Sequence, residues 1–173
     1  MENNSMHKNE ETTQFSTDMQ TEDEERIDIY DKIPYLKEWV LTKVKTILKD
    51  EAHETGDFHL AWHVWVYNSK WEILLQKRSM EKSSYRGMWD ISAAWHISAW
   101  EDIETWTLRE LKEELWIDTE WKSLEMAFTY IEDVEKIMNG KIWKNNELNT
   151  IYVFEYDGEI EDFKMQEGEV DEL

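Results

Sequence analysis

The chain has no cysteine among its 173 residues, a single proline and five glycines. Without cysteine there is no disulfide framework, no thiolate zinc site and no sulfur nucleophile. Cations are also scarce: 19 Lys plus Arg stand against 40 Asp plus Glu, a formal net charge of −21. That charge repels phosphodiester backbones and anionic lipid surfaces, so nucleic-acid and membrane partners are disfavoured. No apolar run approaches the roughly 18 residues of a membrane span. The N-terminus, MENNSMHKNEETTQ, lacks the basic-then-apolar layout of a secretory leader, and a cytoplasmic location is expected. Glycine is the most telling shortage. Average usage of about 7% would put roughly a dozen in a chain of this length. Eleven tryptophans are present instead.

What is there divides into a tail and one domain. Residues 1–25 are polar and acidic, end in TEDEER and carry no apolar periodicity, so they read as a disordered tail. Residues 26–173 suffice for one ordinary hydrophobic core. IDIYD (27–31) alternates like a short strand, while KEWVLTKVKTILKD (37–50) fits strand or helix. HVWVYNSKWEILLQKR (63–78) reads as strand, turn, strand, with a turn that wants glycine near Trp71. MWDISAA (88–94) reads as a buried strand, and SLEMAFTYI (123–131) and TIYVFEYDGEI (150–160) return to strand patterning. DIETWTLRELKEEL (102–115) is the strongest helix, with Ile103, Leu108, Leu111 and Leu115 as its apolar stripe. Strands, one strong helix, then strands predict an α+β domain with a mixed sheet.

Glu110, Glu113 and Glu114 fall at i, i+3 and i+4 on that helix, so their carboxylates leave one side. Carboxylates so close repel one another unless a cation sits among them. A diphosphate is shielded from nucleophiles by its own charge. Mg²⁺ or Mn²⁺ held by such oxygens neutralises that charge and lowers the pKa of an attacking water. The bland alternative is a solvated glutamate-rich helix face.

Spacing around this helix carries more. Glu101 lies eight residues before Arg109, and Trp95 six before that; Trp116 and Ile117 follow Glu114 by two and three. This pattern resembles the Nudix box, a glycine, a glutamate, then Arg-Glu-aliphatic-x-Glu-Glu-x-Gly-aliphatic. Every charged and aliphatic position matches, and only the two glycines fail, at Trp95 and Trp116. The resemblance implies a mixed β-sheet sandwiched between helices, and metal-dependent hydrolysis of a small-molecule diphosphate such as a nucleoside diphosphate derivative. It implies catalytic roles for Glu101, Arg109, Glu110, Glu113 and Glu114, with Arg109 pairing Glu101. It also implies Mg²⁺ or Mn²⁺ held by Glu110, Glu113 and Glu114.

AHETGDFHLAWHVWVYNSK (52–70), ILLQKRS (73–79) and GMWDISAAWH (87–96) resemble the Nudix branch related to isopentenyl-diphosphate isomerases, with a weaker echo in NELNTIYVF (146–154). That likeness implies a second set of metal ligands, His53, His59, His96 and Glu147, although His59 and His63 also read as ordinary strand histidines. Two departures disfavour isomerase chemistry. Ala94 stands where the isomerases have a cysteine, and Asn149 where they have a glutamate. Moving a proton across an alkene needs a positioned acid–base pair. Hydrolysis by activated water needs neither residue, so a pyrophosphohydrolase is favoured over an isomerase or a non-catalytic Nudix-like binding module. Lys77 and Arg78 at a strand end suit substrate phosphates, or serve as solvated charges. The branch continues beyond EGEVDEL into another strand and helix, which leaves room for a shortened C-terminus. Oligomeric state is unreadable.

Trp71, Trp95, Trp100 and Trp116 each occupy a place where turn chemistry or the resemblance expects glycine, for positive φ or close backbone approach. Trp95 and Trp100 are expected to crowd the loop beside the metal site. One cause covers all four. Some bacterial genetic codes read UGA as glycine and others as tryptophan, so the wrong table would print UGA glycines as Trp. The same cause extends to Trp39, Trp62, Trp106, Trp121 and Trp143, whereas Trp65 and Trp89 match tryptophans of the family pattern. The rival explanation is a diverged chain that has lost activity.

Overall fold

The computed structural model describes residues 25–31, 41–82, 84–100, 102–120, 123–138 and 140–173. In order they form β1 (Arg26–Asp31), β2 (Thr42–Leu48), α1 (Lys49–Thr55), β3 (His59–Tyr67), β4 (Gln76–Arg78), β5 (Trp89–Asp90), β6 (Ala93–His96), α2 (Ile103–Leu115), β7 (Glu125–Met138), β8 (Lys141–Glu155) and β9 (Val170–Glu172). The four-stranded sheet β6-β3-β8-β7 is mixed: β3 runs parallel to β8, and both edge strands run antiparallel. β1 and β2 form a separate ribbon, and β5-β4-β9 a third small sheet.

Alternation along β3, β6 and β8 gives the main sheet two working faces. Val64 and Val66 of β3, Ala93 and Trp95 of β6 and Phe154 of β8 point one way, against the fully buried Leu111 and Leu115 of α2. His59, His96 and Glu147 point the other way, toward α1, whose His53 stacks on Trp143 with ring centroids 3.9 Å apart. The expected α+β sandwich is what forms. Truncating Leu111 to Ala would cost about 2–5 kcal/mol, the usual penalty for a fully buried leucine.

Several local expectations are corrected. The ambiguous 37–50 stretch resolves, over its described part, into β2 followed directly by α1. The expected turn forms as a short hairpin, with the bridge Tyr67–Ile73 flanked by Asn68 N–H to Glu72 and Leu74 N–H to Val66 bonds, while the rest of the second strand is β4, in a different sheet from β3. MWDISAA is two strands, because Ser92 breaks the run: its hydroxyl donates to the Leu74 carbonyl and accepts from the Val66 amide. The 123–131 strand continues to Met138, pairing with β8 as a long hairpin whose outer face stays exposed. The tail expected over 1–25 lies, except for Glu25, outside the described residues, as do Trp39, Glu101 and Trp121.

Candidate active site

α2 begins at Asp102, whose carboxylate accepts the Thr105 amide at 2.9 Å and caps the helix. Its charged face carries the box. Arg109 lies over the Trp106 ring at 4.2 Å and reaches Glu110 at 3.3 Å and Glu113 at 3.9 Å. The three glutamates sit in three environments. Glu113 is half exposed. Burial raises Glu110 to about 7, opposed by the Arg109 contact. Burial raises Glu114 further, to about 8, although one oxygen accepts a 2.9 Å bond from Trp95 Nε1; its other oxygen has no partner. A buried carboxyl with one unpartnered oxygen has the chemistry to hold a cation.

The expected second set does converge. His53 from α1, His59 from β3, His96 from β6 and Glu147 from β8 offer ligand atoms that all lie within 4.8 Å of one another. Among the described residues this is the grouping of His, Asp and Glu tight enough to share one ion; Glu110, Glu113 and Glu114 do not form another. Backbone carbonyls orient two of its rings. His53 Nδ1 donates to the Lys144 carbonyl at 3.1 Å and His59 Nδ1 to the Asp57 carbonyl at 2.8 Å. A carbonyl only accepts, so each ring donates from Nδ1 and aims its Nε2 inward. His53 Nε2 is buried without a partner, and burial, with His96 and His59 nearby, lowers this histidine to about 3. His59 Nε2 faces Glu147 Oε1 at 3.2 Å, and His96 Nε2 faces the same oxygen at 3.0 Å. Burial pushes Glu147 up, but the histidine contacts outweigh it and hold its carboxyl well below the ordinary range. Three inward ring nitrogens around one carboxylate oxygen, all within ligand distance of one point, have the chemistry of a divalent-cation site. Three imidazoles suit Zn²⁺ better than Mg²⁺.

Other residues complete the setting. Asn145 holds the second Glu147 oxygen at 2.8 Å and Glu132 at 2.7 Å. Asn149 is fully buried on the same face of β8, with neither carboxamide atom partnered. The polar alternation Asn145, Glu147, Asn149 inside a strand was the signal for this row. Lys77 pairs with Glu172 at 3.1 Å, and Arg78 with Asp90 at 3.7 Å and the Ser84 carbonyl at 3.2 Å. Lys82, which sequence patterning did not single out, lies close enough to Glu114 to oppose the rise in its pKa.

Among the described residues four non-glycines have positive φ: Trp71 (+63°), Trp100 (+71°), Trp116 (+60°) and Tyr85 (+51°). Trp116 ends α2 in the left-handed conformation, its amide bonded to the Lys112 carbonyl. The three rings lie outside, 79%, 75% and 58% exposed. Trp100 therefore does not crowd the loop. Trp95 differs in kind: it lies in β6, buried, and its ring occupies the space between the sheet and Glu114.

This sheet, this helix and this box carry the family signature. The chain matches the NUDIX domain over residues 57–173 and belongs to that family. It is 37% identical to Nudix hydrolase 3 of Arabidopsis thaliana over 125 residues, 70% of this chain and 16% of that protein. It is 33% identical to isopentenyl-diphosphate Delta-isomerase 2 of Photorhabdus laumondii over 82 residues, 47% of this chain and 46% of that one. The aligned region thus spans less than half the length of either relative. A solved structure of Deinococcus radiodurans DR0079 is similar with a TM-score of 0.60 at 18% identity, covering 86% of this chain and 80% of that one. That likeness bears on the fold alone.

Proposed function

We propose that the chain is a divalent-metal-dependent pyrophosphohydrolase acting on a small-molecule diphosphate. The observation that carries this reading is the convergence of His53, His59, His96 and Glu147, whose ligand atoms all lie within 4.8 Å of one another, with His53 Nε2 buried and unpartnered among them. A divalent ion in such a site neutralises diphosphate charge and lowers the pKa of water. Glu110, Glu113 and Glu114 are the hard oxygen donors of the box that would hold Mg²⁺ or Mn²⁺, which would supply charge neutralisation to a bound diphosphate. Arg109 orients Glu110 and Glu113, with Glu101 as its further partner by resemblance. Lys77 and Arg78 are the proposed phosphate contacts.

The isomerase reading is favoured by the same donor set and by the isopentenyl-diphosphate isomerase relative. It is opposed by two residues. Asn149 offers a carboxamide where acid–base chemistry needs a group that titrates, and the Ala94 methyl cannot move a proton. A diphosphate panel with Mg²⁺ and with Mn²⁺, read as released phosphate or monophosphate and repeated with Glu113→Gln, Glu114→Gln and His59→Ala, tests the proposal. Turnover that needs the metal and these side chains is expected. Conversion of isopentenyl to dimethylallyl diphosphate would replace the hydrolase with the isomerase, and binding without turnover would leave a non-catalytic module.

A further inference from the structure

β8 carries a buried carboxamide beside the histidine set. Asn149 follows Glu147 by two residues, so its side chain leaves the same face of the strand about 7 Å further along. The register fixes its neighbours. Asn149 lies opposite Ala61 of β3 and Tyr130 of β7, and Ala61 lies opposite His96 of β6. One row across the sheet therefore reads His96, Ala61, Asn149, Tyr130, next to the row His59, Glu147, Glu132. Within its row, only the Ala61 methyl stands between the donor His96 and the Asn149 carboxamide. Asn149 is 0% exposed, and neither its Nδ2 nor its Oδ1 has a partner in the protein. The carboxylate beside it is committed elsewhere: Glu147 Oε1 faces His59 and His96, and its Oε2 accepts from Asn145. A buried amide left unpaired is costly. One shut off from bulk solvent calls for an enclosed partner that can both donate and accept, and water is that partner.

We propose that Asn149 is a positioning residue that holds an ordered water over the Ala61 methyl, between its carboxamide and the place of a divalent ion in the histidine set. Oδ1 accepts an O–H from that water and so turns the water's oxygen toward the ion. Nδ2 donates to a second oxygen beside it, a water in the free protein and a phosphoryl oxygen once a diphosphate is bound. A carboxamide has no proton to exchange at any working pH, so Asn149 places the water and does not activate it. The inference rests on the histidine set holding a divalent ion, as the proposed function has it.

The test uses the intact chain and Mn²⁺ with no diphosphate present. It reads Mn²⁺ affinity by calorimetry, water exchange at the bound ion by ¹⁷O relaxation, and the Tm of the metal-free chain. Mn²⁺ lost on His59→Ala marks the ion held by the histidine set. Asn149→Leu keeps a branched side chain without the polar atoms. It should leave Mn²⁺ affinity within about twofold and quicken water exchange roughly fivefold, as for the loss of one hydrogen bond. Its metal-free Tm should be unchanged or higher, because an unpaired carboxamide has left the interior. Asn149→Asp puts a carboxylate where the carboxamide faces the ion, and should tighten Mn²⁺ binding by about tenfold. Water exchange at the parent's rate in Asn149→Leu would overturn the proposal, and a lowered Tm beside it would make Asn149 a packing residue. Unaltered affinity in Asn149→Asp would show that the side chain faces away from the ion. If His59→Ala removes no Mn²⁺, the metal reading fails first and takes this inference with it. If Mn²⁺ binds there and no diphosphate is hydrolysed, the hydrolase reading falls and the water site stands on the exchange rates.

Discussion

Trp95 Nε1 donates to Glu114 Oε1 at 2.9 Å, while His96, the next residue of β6, turns its Nε2 to Glu147 Oε1 at 3.0 Å. Strand alternation sends the two side chains to opposite faces of the sheet. One short edge strand therefore serves both acidic centres, the helix box on one side and the histidine set on the other. A shift of β6 along β3 by one residue would exchange the two faces and lose both contacts.

The box carboxyls make stability depend on pH in a defined direction. Glu114 is raised to about 8 and Glu110 to about 7 from an ordinary value of 4.5. Between pH 4.5 and these values the folded chain holds protons that the unfolded chain has released, so stability falls as pH rises through this window. The metal-free protein is expected to lose Tm steadily from pH 5 to pH 8. Glu114→Gln, neutral at every pH, should flatten that slope. Added Mn²⁺ should recover Tm at pH 8 and much less at pH 5, because the ion prefers the ionised carboxylate. A Glu114→Gln slope as steep as the parent's would assign the dependence elsewhere.

The histidine set should bind metal on its own terms. His59→Ala removes a ring nitrogen whose orientation is fixed by the Asp57 carbonyl, and Glu147→Gln removes the carboxylate oxygen that two histidines share. Each should lower affinity for Mn²⁺ or Zn²⁺ by well over about tenfold. Asn145→Ala, which withdraws a hydrogen bond from Glu147 and one from Glu132 but removes no ligand atom, should cost about ten- to a hundredfold. Isothermal titration of the metal-free chain measures all three. Unaltered binding in His59→Ala would exclude the set as a metal centre.

Much of this was legible in the sequence because it obeys a period. The α2 stripe of Leu108, Leu111 and Leu115, the carboxylates on its other side and the alternation in HVWVY all follow from helix and strand repeats. His53, His59, His96 and Glu147 were named through resemblance, and no periodicity could have placed residues so far apart in sequence around one point. What stayed hidden depends on tertiary packing. MWDISAA looks like one strand until Ser92 finds the Leu74 carbonyl, and Lys82 looks like any loop cation until β9 folds back with Glu169. Glu110 and Glu114 look alike on a helical wheel, yet packing against β6 buries one fully and leaves the other at the rim.

The three outward tryptophans strain the backbone. A left-handed conformation costs a residue with a Cβ roughly 1–2 kcal/mol, which glycine does not bear. Against that, the Trp116 ring has Lys164 over it at 3.6 Å, a contact worth about 0.5–1 kcal/mol at an exposed site. Trp116→Gly should therefore stabilise the chain by up to about 1 kcal/mol, and Trp100→Gly by slightly more, because Lys43 lies farther off at 5.7 Å. Trp71→Gly also loses the stack on Tyr67, at 5.2 Å, and should gain least. Urea denaturation of the single variants gives the order. Destabilisation by all three would show that the strain is not there to relieve.

The φ angles also bear on how the gene is read. Sites of positive φ draw on Gly first and on Asn or Asp next, and bulky residues avoid them. Tryptophan at three of them, together with tryptophan at both glycine positions of an otherwise intact box, is the pattern expected if UGA codons meant for glycine are printed as Trp. Random decay would have reached Glu110, Glu113 or Glu114 as readily as their glycine neighbours. Peptides of the protein from its natural host, sequenced by mass spectrometry, should therefore show glycine at 71, 95, 100 and 116. Trp95 is the informative member, since its φ gives no reason for glycine. Only the box does, because a ring there bonds the carboxyl that should face a metal. Glycine at 71, 100 and 116 with tryptophan at 95 would mean that the ring is native and Glu114 is held by design. Tryptophan at 116 would sink the codon explanation outright.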